Sequence, residues 1–229
     1  LTPTAINYRA NIDCLKRAGV TDIISLSAVG SLKEEYAPGN FVLVDQFIDR
    51  TFSREKTFFG EGCVAHVSFS HPIADRLQQA LYNTCKELGL PSHLGGTYIC
   101  MEGPQFSTLA ESNLYRSWGC DVVGMTNMPE AKLAREAELP YATVAMVTDY
   151  DCWHSDHEAV SVESVMKVLE QNRDNANLLL KNVLPKIKVR PTEDIQGGDR
   201  ALDFAIVTPP NKRNPKLVAK LDAVAGRVL

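Results

Sequence analysis

The chain has 229 residues, 45% of them hydrophobic and 23% charged, and its formal net charge is −4. This length and composition are typical of one large globular α/β domain that buries a sizeable core. Basic residues are interspersed with acidic ones, which argues against a cationic surface for nucleic acid or anionic lipid. Because no apolar run reaches the roughly 20 residues of a membrane span and the N-terminus lacks a signal-peptide layout, we expect an unsecreted, cytoplasmic protein without a membrane partner.

Six cysteines are spread along the chain without a Cys-x-x-Cys pair. A domain of this size does not need disulfide bonds for its stability, and isolated cysteines are usually small apolar packing groups. The cysteine pattern therefore predicts reduced thiols, most of them in the core.

The first 70 residues contain one helical pattern and two extended ones. Apolar residues at helical spacing predict an N-terminal helix that Gly19 ends. Apolar runs at 23–28 and 41–44 predict buried strands. The stretch 51–70 is rich in Gly, Ser and charged residues, and we expect it to form a long loop with a functional role.

From residue 72 onward, helical and extended patterns alternate. They predict helices at 74–88, 109–118 and 129–138, and strands at 97–101, 122–125 and 141–147. Such alternation predicts a single-domain α/β fold with a mixed, mostly parallel central sheet flanked by helices. In open sheets of this kind, ligands bind beyond the carboxyl ends of the strands.

A long amphipathic helix at 161–184 closes the predicted core, which spans residues 1–184. Residues 185–229 are predicted to form a connector and a C-terminal helical extension. Within this region we expect the connector at 185–198, a strand or other ordered segment at 201–207, and a short helix at 216–224 that Gly226 ends.

Polar and small residues follow three of the predicted strands, at 27–31, 124–127 and 148–151. One edge of the sheet would bring all three together. The backbone N–H groups and hydroxyls of 27–31 could bind an anion, with help from the dipole of a following helix. An ordinary strand-to-helix turn explains the same residues.

Asp149 and Asp151 could present two carboxylates on the rim of a pocket to a heterocycle such as a purine. A helix cap and a solvated carboxylate explain the pair equally well. The run 149–157 also suggests a metal site, but it lacks an established zinc spacing, so we expect no metal. We interpret His154 and His157 as loop or cap residues.

Three further side chains are candidates for ligand contact. Phe106 follows a Gly-Pro turn and could stack on a base, although a core phenylalanine would fit the same sequence. Met125 could pack on a sugar or simply fill the core. His66 lies in the predicted long loop, where a histidine is commonly solvent-exposed.

Several long strings of sequence resemble the methylthioadenosine phosphorylase branch of the trimeric purine nucleoside phosphorylase family. The strings are N-Y-R-A-N-I (7–12), S-A-V-G-S-L (27–32), V-D-Q-F-I-D-R-T (44–51), E-G-P-Q-F-S (102–107), G-M-T-N-M-P-E (124–130) and A-M-V-T-D-Y-D-C-W (145–153). The resemblance runs from residue 3 to about residue 184. Several differently composed strings in the family's order are far more specific than one short motif.

The resemblance implies phosphorolysis, in which phosphate attacks the anomeric carbon while the purine leaves through an oxocarbenium-like transition state. Asp149 would face a purine ring nitrogen and stabilise the departing base, and Asp151 would help bind the exocyclic amino group. Because an acid that donates to the leaving base must be protonated, we predict that burial raises the pKa of Asp149.

Other roles follow from the same resemblance. Phe106 would stack on the base and Met125 would lie under the ribose, whereas phosphate or sugar would contact Ser27, Ala28 and Thr126. Ser107 stands where relatives that cleave 6-oxopurines carry Glu, and it therefore favours adenine. His66 would be lent by a neighbouring subunit near the 5' substituent, which implies a homotrimer.

The expected reaction converts 5'-methylthioadenosine and phosphate, without a metal or organic cofactor, to adenine and 5-methylthioribose 1-phosphate in methionine and purine salvage. The alternatives are a 6-oxopurine or methylthioinosine phosphorylase, a purine nucleosidase that uses water, and a purine-binding chain without turnover. The family's glycine-rich phosphate loop and Arg-His-Gly segment have no counterpart in this sequence, so we expect an upstream segment to be missing. Beyond residue 185 the sequence leaves the family's pattern.

Overall fold

A computed structural model describes residues 1–154, 162–187 and 198–229. These residues form one mixed sheet with the strand order β3-β5-β6-β1-β7-β2-β4. The strands are β1 (Ile23–Ser31), β2 (Phe41–Leu43), β3 (Gln46–Arg50), β4 (Ser92–Leu94), β5 (Thr97–Met101), β6 (Val122–Gly124) and β7 (Tyr141–Asp149). Neighbouring strands are parallel except for the antiparallel pairs β1–β6 and β2–β7. The predicted single-domain, mostly parallel α/β fold is confirmed.

The described residues also form helices, most of the longer ones packed on the sheet. They are α1 (Tyr8–Arg17), α2 (Asp75–Glu87), α3 (Leu109–Ser117), α4 (Asn127–Glu136), α5 (Val162–Val183), α6 (Pro215–Val218) and α7 (Asp222–Ala225). Their ends follow local chemistry: Thr108 and Glu111 form a reciprocal capping box at the start of α3, and Gly19 follows α1 with a φ of 77°. No helix among the described residues is long and apolar enough to cross a membrane.

The core is built around the central parallel pair β1 and β7, which align from Ile23 opposite Tyr141 to Val29 opposite Val147. The first eight residues of β7 are buried, as expected for a strand covered on both faces. Helices α2 and α5 pack against β7 and against each other, and α1 packs against α4. The packed sheet thus fixes the positions of the polar residues that its strands carry.

The predicted strands and helices of the first 154 residues are confirmed, but β3 and β4 were not predicted. Strand β3 is partly exposed and contains charged residues, and β4 has three residues, so neither gives a strong apolar pattern. The expected helix after residues 27–31 was wrong. Strand β1 continues to Ser31 because β6 and β7 pair with it on either side, and a turn follows.

The C-terminal residues differ more from the prediction. Residues 201–205 form turns, and Ile206 makes an isolated antiparallel bridge with Ala65 in the long loop. The helix predicted at 216–224 is wrong as one element, since it is divided into α6 and α7 where buried Leu221 joins a small second core. Most of the connector predicted at 185–198 lies outside the described residues, and the division at residue 184 stays a prediction.

This second core joins the C-terminal residues to the long loop through Phe59, Cys63, Leu202 and Leu221. The buried carboxylate of Glu138 strengthens the attachment. It accepts hydrogen bonds from the Leu202 backbone N–H at 2.9 Å and from Arg227 at 2.6 and 2.8 Å. The C-terminal residues therefore hold the loop that carries His66.

Candidate active site

A cavity of about 350 Å³ is lined by residues 26–30 of β1, 123–124 of β6 and 148–149 of β7. Eight of the nine predicted site residues line it, namely Ser27, Ala28, Phe106, Ser107, Met125, Thr126, Asp149 and Asp151. The three polar segments therefore converge as predicted. Because β6 runs antiparallel to β1, residues 124–126 lie beside the middle of β1 rather than at its carboxyl end.

Asp149 is the last residue of β7 and forms one wall of the cavity. Its Oδ2 accepts a hydrogen bond from the Thr148 hydroxyl at 2.7 Å, and its Oδ1 accepts one from the Asp151 backbone N–H at 2.8 Å. These bonds fix the carboxyl group. Burial raises the pKa of Asp149 above its ordinary value, as predicted, which favours the neutral acid that could donate a proton to a ligand.

Asp151 stands beside Asp149 in a backbone conformation that is uncommon for a residue with a side chain, with a φ of 52°. Burial raises its pKa, and Asp149 raises it further whenever Asp149 is ionised. Asp151 is buried and Asp149 is partly buried in the wall of one cavity, so the alternative of a helix cap with a solvated partner does not describe the pair. The pair forms an acidic, desolvated corner.

Gly30 makes this corner possible. A Cβ atom at residue 30 would lie 2.9 Å from Asp149 Oδ1 and 3.3 Å from Asp151 Cβ. The sequence suggested an anion-binding role for the glycine, whereas the structure gives it a steric one. Its missing side chain leaves the space that the two carboxyl groups occupy.

Hydroxyl groups line another part of the cavity. Ser27 Oγ shares a hydrogen bond with the phenol of Tyr98 at 3.0 Å and lies 3.4 Å from Thr126 Oγ1. Tyr98 was missed by the sequence interpretation because it lies within an apolar strand. Gly124 is the related sequence signal, since a Cβ atom there would lie 1.9 Å from the Tyr98 hydroxyl.

Two further walls of the cavity carry an aromatic ring and a thioether, those of Phe106 and Met125. Phe106 is 50% exposed at the rim, so the alternative of a core phenylalanine is wrong. Ser107 donates to Met101 Sδ at 3.5 Å, and its carbonyl accepts from the Cys152 thiol at 3.4 Å. Met125 packs against Gly103, where a Cβ atom would lie 2.5 Å from its Sδ.

The histidines lie apart from the carboxylates. His66 is exposed in the long loop, its backbone N–H donates to Ala205 O, and it does not line its own chain's cavity. His154 packs on Tyr150 and Trp153 and lies 3.0 Å from a Glu34 oxygen, which agrees with a loop residue. His157 lies outside the described residues.

The arrangement of potential metal ligands and of the cysteines bears on the chemistry of this region. Within residues 1–154, 162–187 and 198–229, no cluster of three or more His, Cys, Asp or Glu side chains is arranged to hold a metal ion. All six cysteines are free thiols, and Cys63, Cys85, Cys100 and Cys120 are buried. The prediction that most of the cysteines lie in the core is confirmed.

The fold and the cavity together indicate the class of protein to which the chain belongs. Residues 2–185 match the family model of the phosphorylase superfamily, and the chain belongs to that superfamily. Within it, the chain is 63% identical to S-methyl-5'-thioadenosine phosphorylase of Rhodospirillum rubrum and 60% identical to that of Bradyrhizobium diazoefficiens. The alignments cover 100% of this chain and 78% and 79% of those relatives.

Solved structures give the same result. A methylthioadenosine phosphorylase from an Antarctic soil metagenomic library has a TM-score of 0.91 and 45% identity, over 98% of this chain and 78% of that one. Methylthioadenosine phosphorylase from Schistosoma mansoni in complex with adenine has a TM-score of 0.85 and 33% identity, over 90% and 80% of the two chains. The fold of this chain is therefore that of a nucleoside phosphorylase.

Proposed function

We propose that this chain catalyses the phosphorolysis of 5'-methylthioadenosine to adenine and 5-methylthioribose 1-phosphate. The observation that carries the proposal is the carboxyl pair Asp149 and Asp151, which shares one cavity with Phe106 and Ser107. Two relatives that are 63% and 60% identical to this chain are named S-methyl-5'-thioadenosine phosphorylase. The chain is thus a pentosyltransferase, with phosphate as the acceptor of the sugar.

Asp149 and Asp151 bind the purine in this proposal. As the bond between the anomeric carbon and the purine breaks, its electron pair moves into the purine ring. A protonated Asp149 donates its proton to the ring nitrogen, and burial, which raises the pKa of this carboxyl group, acts in favour of the protonated form. Asp151 accepts from the exocyclic amino group, while Phe106 stacks on the base.

Phosphate and sugar occupy the hydroxyl-lined part of the cavity. Ser27 and Thr126 donate to phosphate or sugar oxygens, and Ala28 lets the backbone approach them closely. One phosphate oxygen then forms the new bond to the anomeric carbon as the purine leaves. Met125 covers one face of the ribose. The reaction requires no metal or organic cofactor.

The purine preference depends on Ser107. Ser107 contributes a neutral hydroxyl, Asp149 donates a proton and Asp151 accepts a hydrogen bond. This combination suits a 6-aminopurine better than a 6-oxopurine. The test is release of adenine from 5'-methylthioadenosine against release of hypoxanthine from methylthioinosine, each with and without phosphate. Preferred, phosphate-dependent adenine release supports the proposal. Preferred hypoxanthine release favours the 6-oxopurine alternative, and phosphate-independent release favours a nucleosidase.

The active enzyme is proposed to be a homotrimer in which His66 of one chain completes a neighbour's site near the 5' substituent. The attachment of the long loop to the C-terminal residues supports this, because it presents His66 at the surface. Asp149→Asn and His66→Ala chains should each lose activity, and mixing them should restore part of it, since some sites would then combine two intact contributions. An absence of recovery in demonstrably mixed oligomers would count against shared sites.

The proposed cellular role is methionine and purine salvage in the cytoplasm. Six free thiols support a reducing compartment, where disulfides rarely form. Adenine and a sugar 1-phosphate are the products that such a salvage reaction supplies.

A further inference from the structure

Arg54, in the long loop, has a fully buried side chain although a free guanidinium strongly prefers water. Its guanidinium donates three hydrogen bonds of 2.6 Å to backbone carbonyls. The acceptors are Met125 O and Met128 O for Nη1, and Glu102 O for Nη2. One side chain therefore joins two segments that are more than twenty residues apart in the sequence.

Glu102 and Tyr8 complete the environment of this buried charge. Glu102 Oε1 accepts from Arg54 Nε at 3.4 Å, and the Tyr8 hydroxyl lies 3.2 Å from Nη1. The Glu102 carboxylate also accepts from the backbone N–H groups of Phe52 and Ser53 at 2.6 and 3.2 Å. The guanidinium thus has a counter-charge and several acceptors, as a buried arginine requires.

Both segments that Arg54 joins lead directly to walls of the cavity. Glu102 begins the turn that carries Phe106 and Ser107, and Met125 is itself a wall residue. The segments also touch each other, since Met125 packs against Gly103. A shift of either segment would change the distance between the base-stacking ring and the surface under the sugar.

We propose that Arg54 is a positioning residue for the nucleoside site, which sets the separation of the Phe106 wall from the Met125 wall. This inference rests on the proposed function for its ligand. Lysine could keep the charge, but a single ammonium cannot reproduce the planar set of donors that spans these carbonyls.

Arg135 provides a matched control. It is also buried, and it also donates to backbone carbonyls, those of Ser68 and His71 near the end of the same loop. These acceptors do not line the cavity. Substitution of either arginine should therefore destabilise the fold, whereas an effect on the nucleoside site is expected for Arg54 alone.

The experiment compares Arg54→Lys and Arg54→Met with Arg135→Lys and Arg135→Met in the full chain. Melting temperature, adenine affinity by calorimetry, and amide hydrogen exchange of residues 102–107 and 124–128 would be measured for each. At a matched loss of melting temperature, the Arg54 variants should bind adenine about tenfold more weakly. They should also exchange faster in both segments, whereas the Arg135 variants should not. If the methionine variants do not fold, the same comparison is made with the lysine variants alone.

Equal adenine affinity and equal exchange in the Arg54 and Arg135 variants would overturn the proposal. If the wild-type chain itself failed to bind adenine, the proposed function would be wrong. The exchange of the two segments would still decide whether Arg54 sets their positions, so the two failures are distinguishable.

Discussion

Gly30 lies directly against the carboxyl group of Asp149, so that a Cβ atom at residue 30 would be 2.9 Å from Asp149 Oδ1. This distance is shorter than a normal contact, and the Asp149 side chain is held by two hydrogen bonds that resist its displacement. The glycine and the acid are therefore sterically coupled. Substitutions at residue 30 should act on the site more than on the fold.

Gly30→Ala should lower kcat/KM for 5'-methylthioadenosine about tenfold, because misplacing a proton donor by a fraction of an ångström weakens general acid catalysis. The measurement is steady-state kinetics with a parallel melting curve. Gly60→Ala is the control, since a Cβ atom there meets nothing within 4 Å. Equal kinetics for the two variants would contradict the coupling.

Tyr98→Phe should raise KM for phosphate severalfold and leave adenine affinity unchanged. The variant keeps the buried ring but removes the hydroxyl that lies 3.0 Å from Ser27 Oγ and orients it. Loss of this hydrogen bond should cost about 1 kcal/mol of interaction free energy. Tyr141→Phe is the matched control, because its buried hydroxyl bonds Glu130 instead of a cavity residue. A similar rise in KM for phosphate in both variants would show a general packing effect.

Ser107→Glu should change the purine preference toward 6-oxopurines. A carboxylate at this position would accept from the ring N–H of hypoxanthine, and it would repel the carboxyl group of Asp151, which lines the same cavity. We expect the ratio of kcat/KM for adenine release to that for hypoxanthine release to fall by about 10²-fold. Ser107→Ala tests whether loss of the hydroxyl alone suffices, and an unchanged ratio in the Glu variant would contradict the role of Ser107.

The lowered pKa of Asp49 predicts how the free energy of unfolding depends on pH. Burial opposes its ionisation, but hydrogen bonds from Lys132, Thr51 and Lys56 overcome this effect and lower its pKa to about 2. Because the folded pKa is below the unfolded one, the ionised group stabilises the fold above about pH 4, and this contribution is lost as pH falls toward 2. Asp49→Asn should therefore lower the free energy of unfolding by about 2 kcal/mol at pH 7. Denaturant titrations should show the difference from wild type shrinking between pH 4 and 2, and a constant difference would contradict the assignment.

The sequence predicted the alternation of strands and helices because the buried elements have strong apolar periodicity. Mainly through the family resemblance, the sequence also predicted that Asp149, Phe106 and Met125 share one site. The antiparallel direction of β6 could not be predicted, since periodicity carries no information on which way neighbouring strands run. Consequently the contact between Ser27 and Thr126 across β1 and β6 was not expected in its observed form.

The roles of Gly30, Tyr98 and Arg54 were missed for a related reason. Each depends on a contact with residues far away in the sequence, and none of the three belongs to a local motif that reveals its partner. The single helix expected at 216–224 failed because burial of Leu221 in the second core overrides local helix propensity. Tertiary packing therefore decided the features that local patterns could not.

The central claim is that neutral Asp149 donates a proton to a departing adenine. The most direct measurement is kcat/KM for phosphate-dependent adenine release from 5'-methylthioadenosine as a function of pH, for wild type and Asp149→Asn. Burial raises the pKa of Asp149, so wild-type activity should fall as pH rises through that pKa and the acid ionises. Asn can donate a hydrogen bond but cannot transfer a proton readily, so the variant should lose about 10²-fold in activity together with this pH dependence. Full activity in Asp149→Asn with an unchanged pH profile would contradict the account.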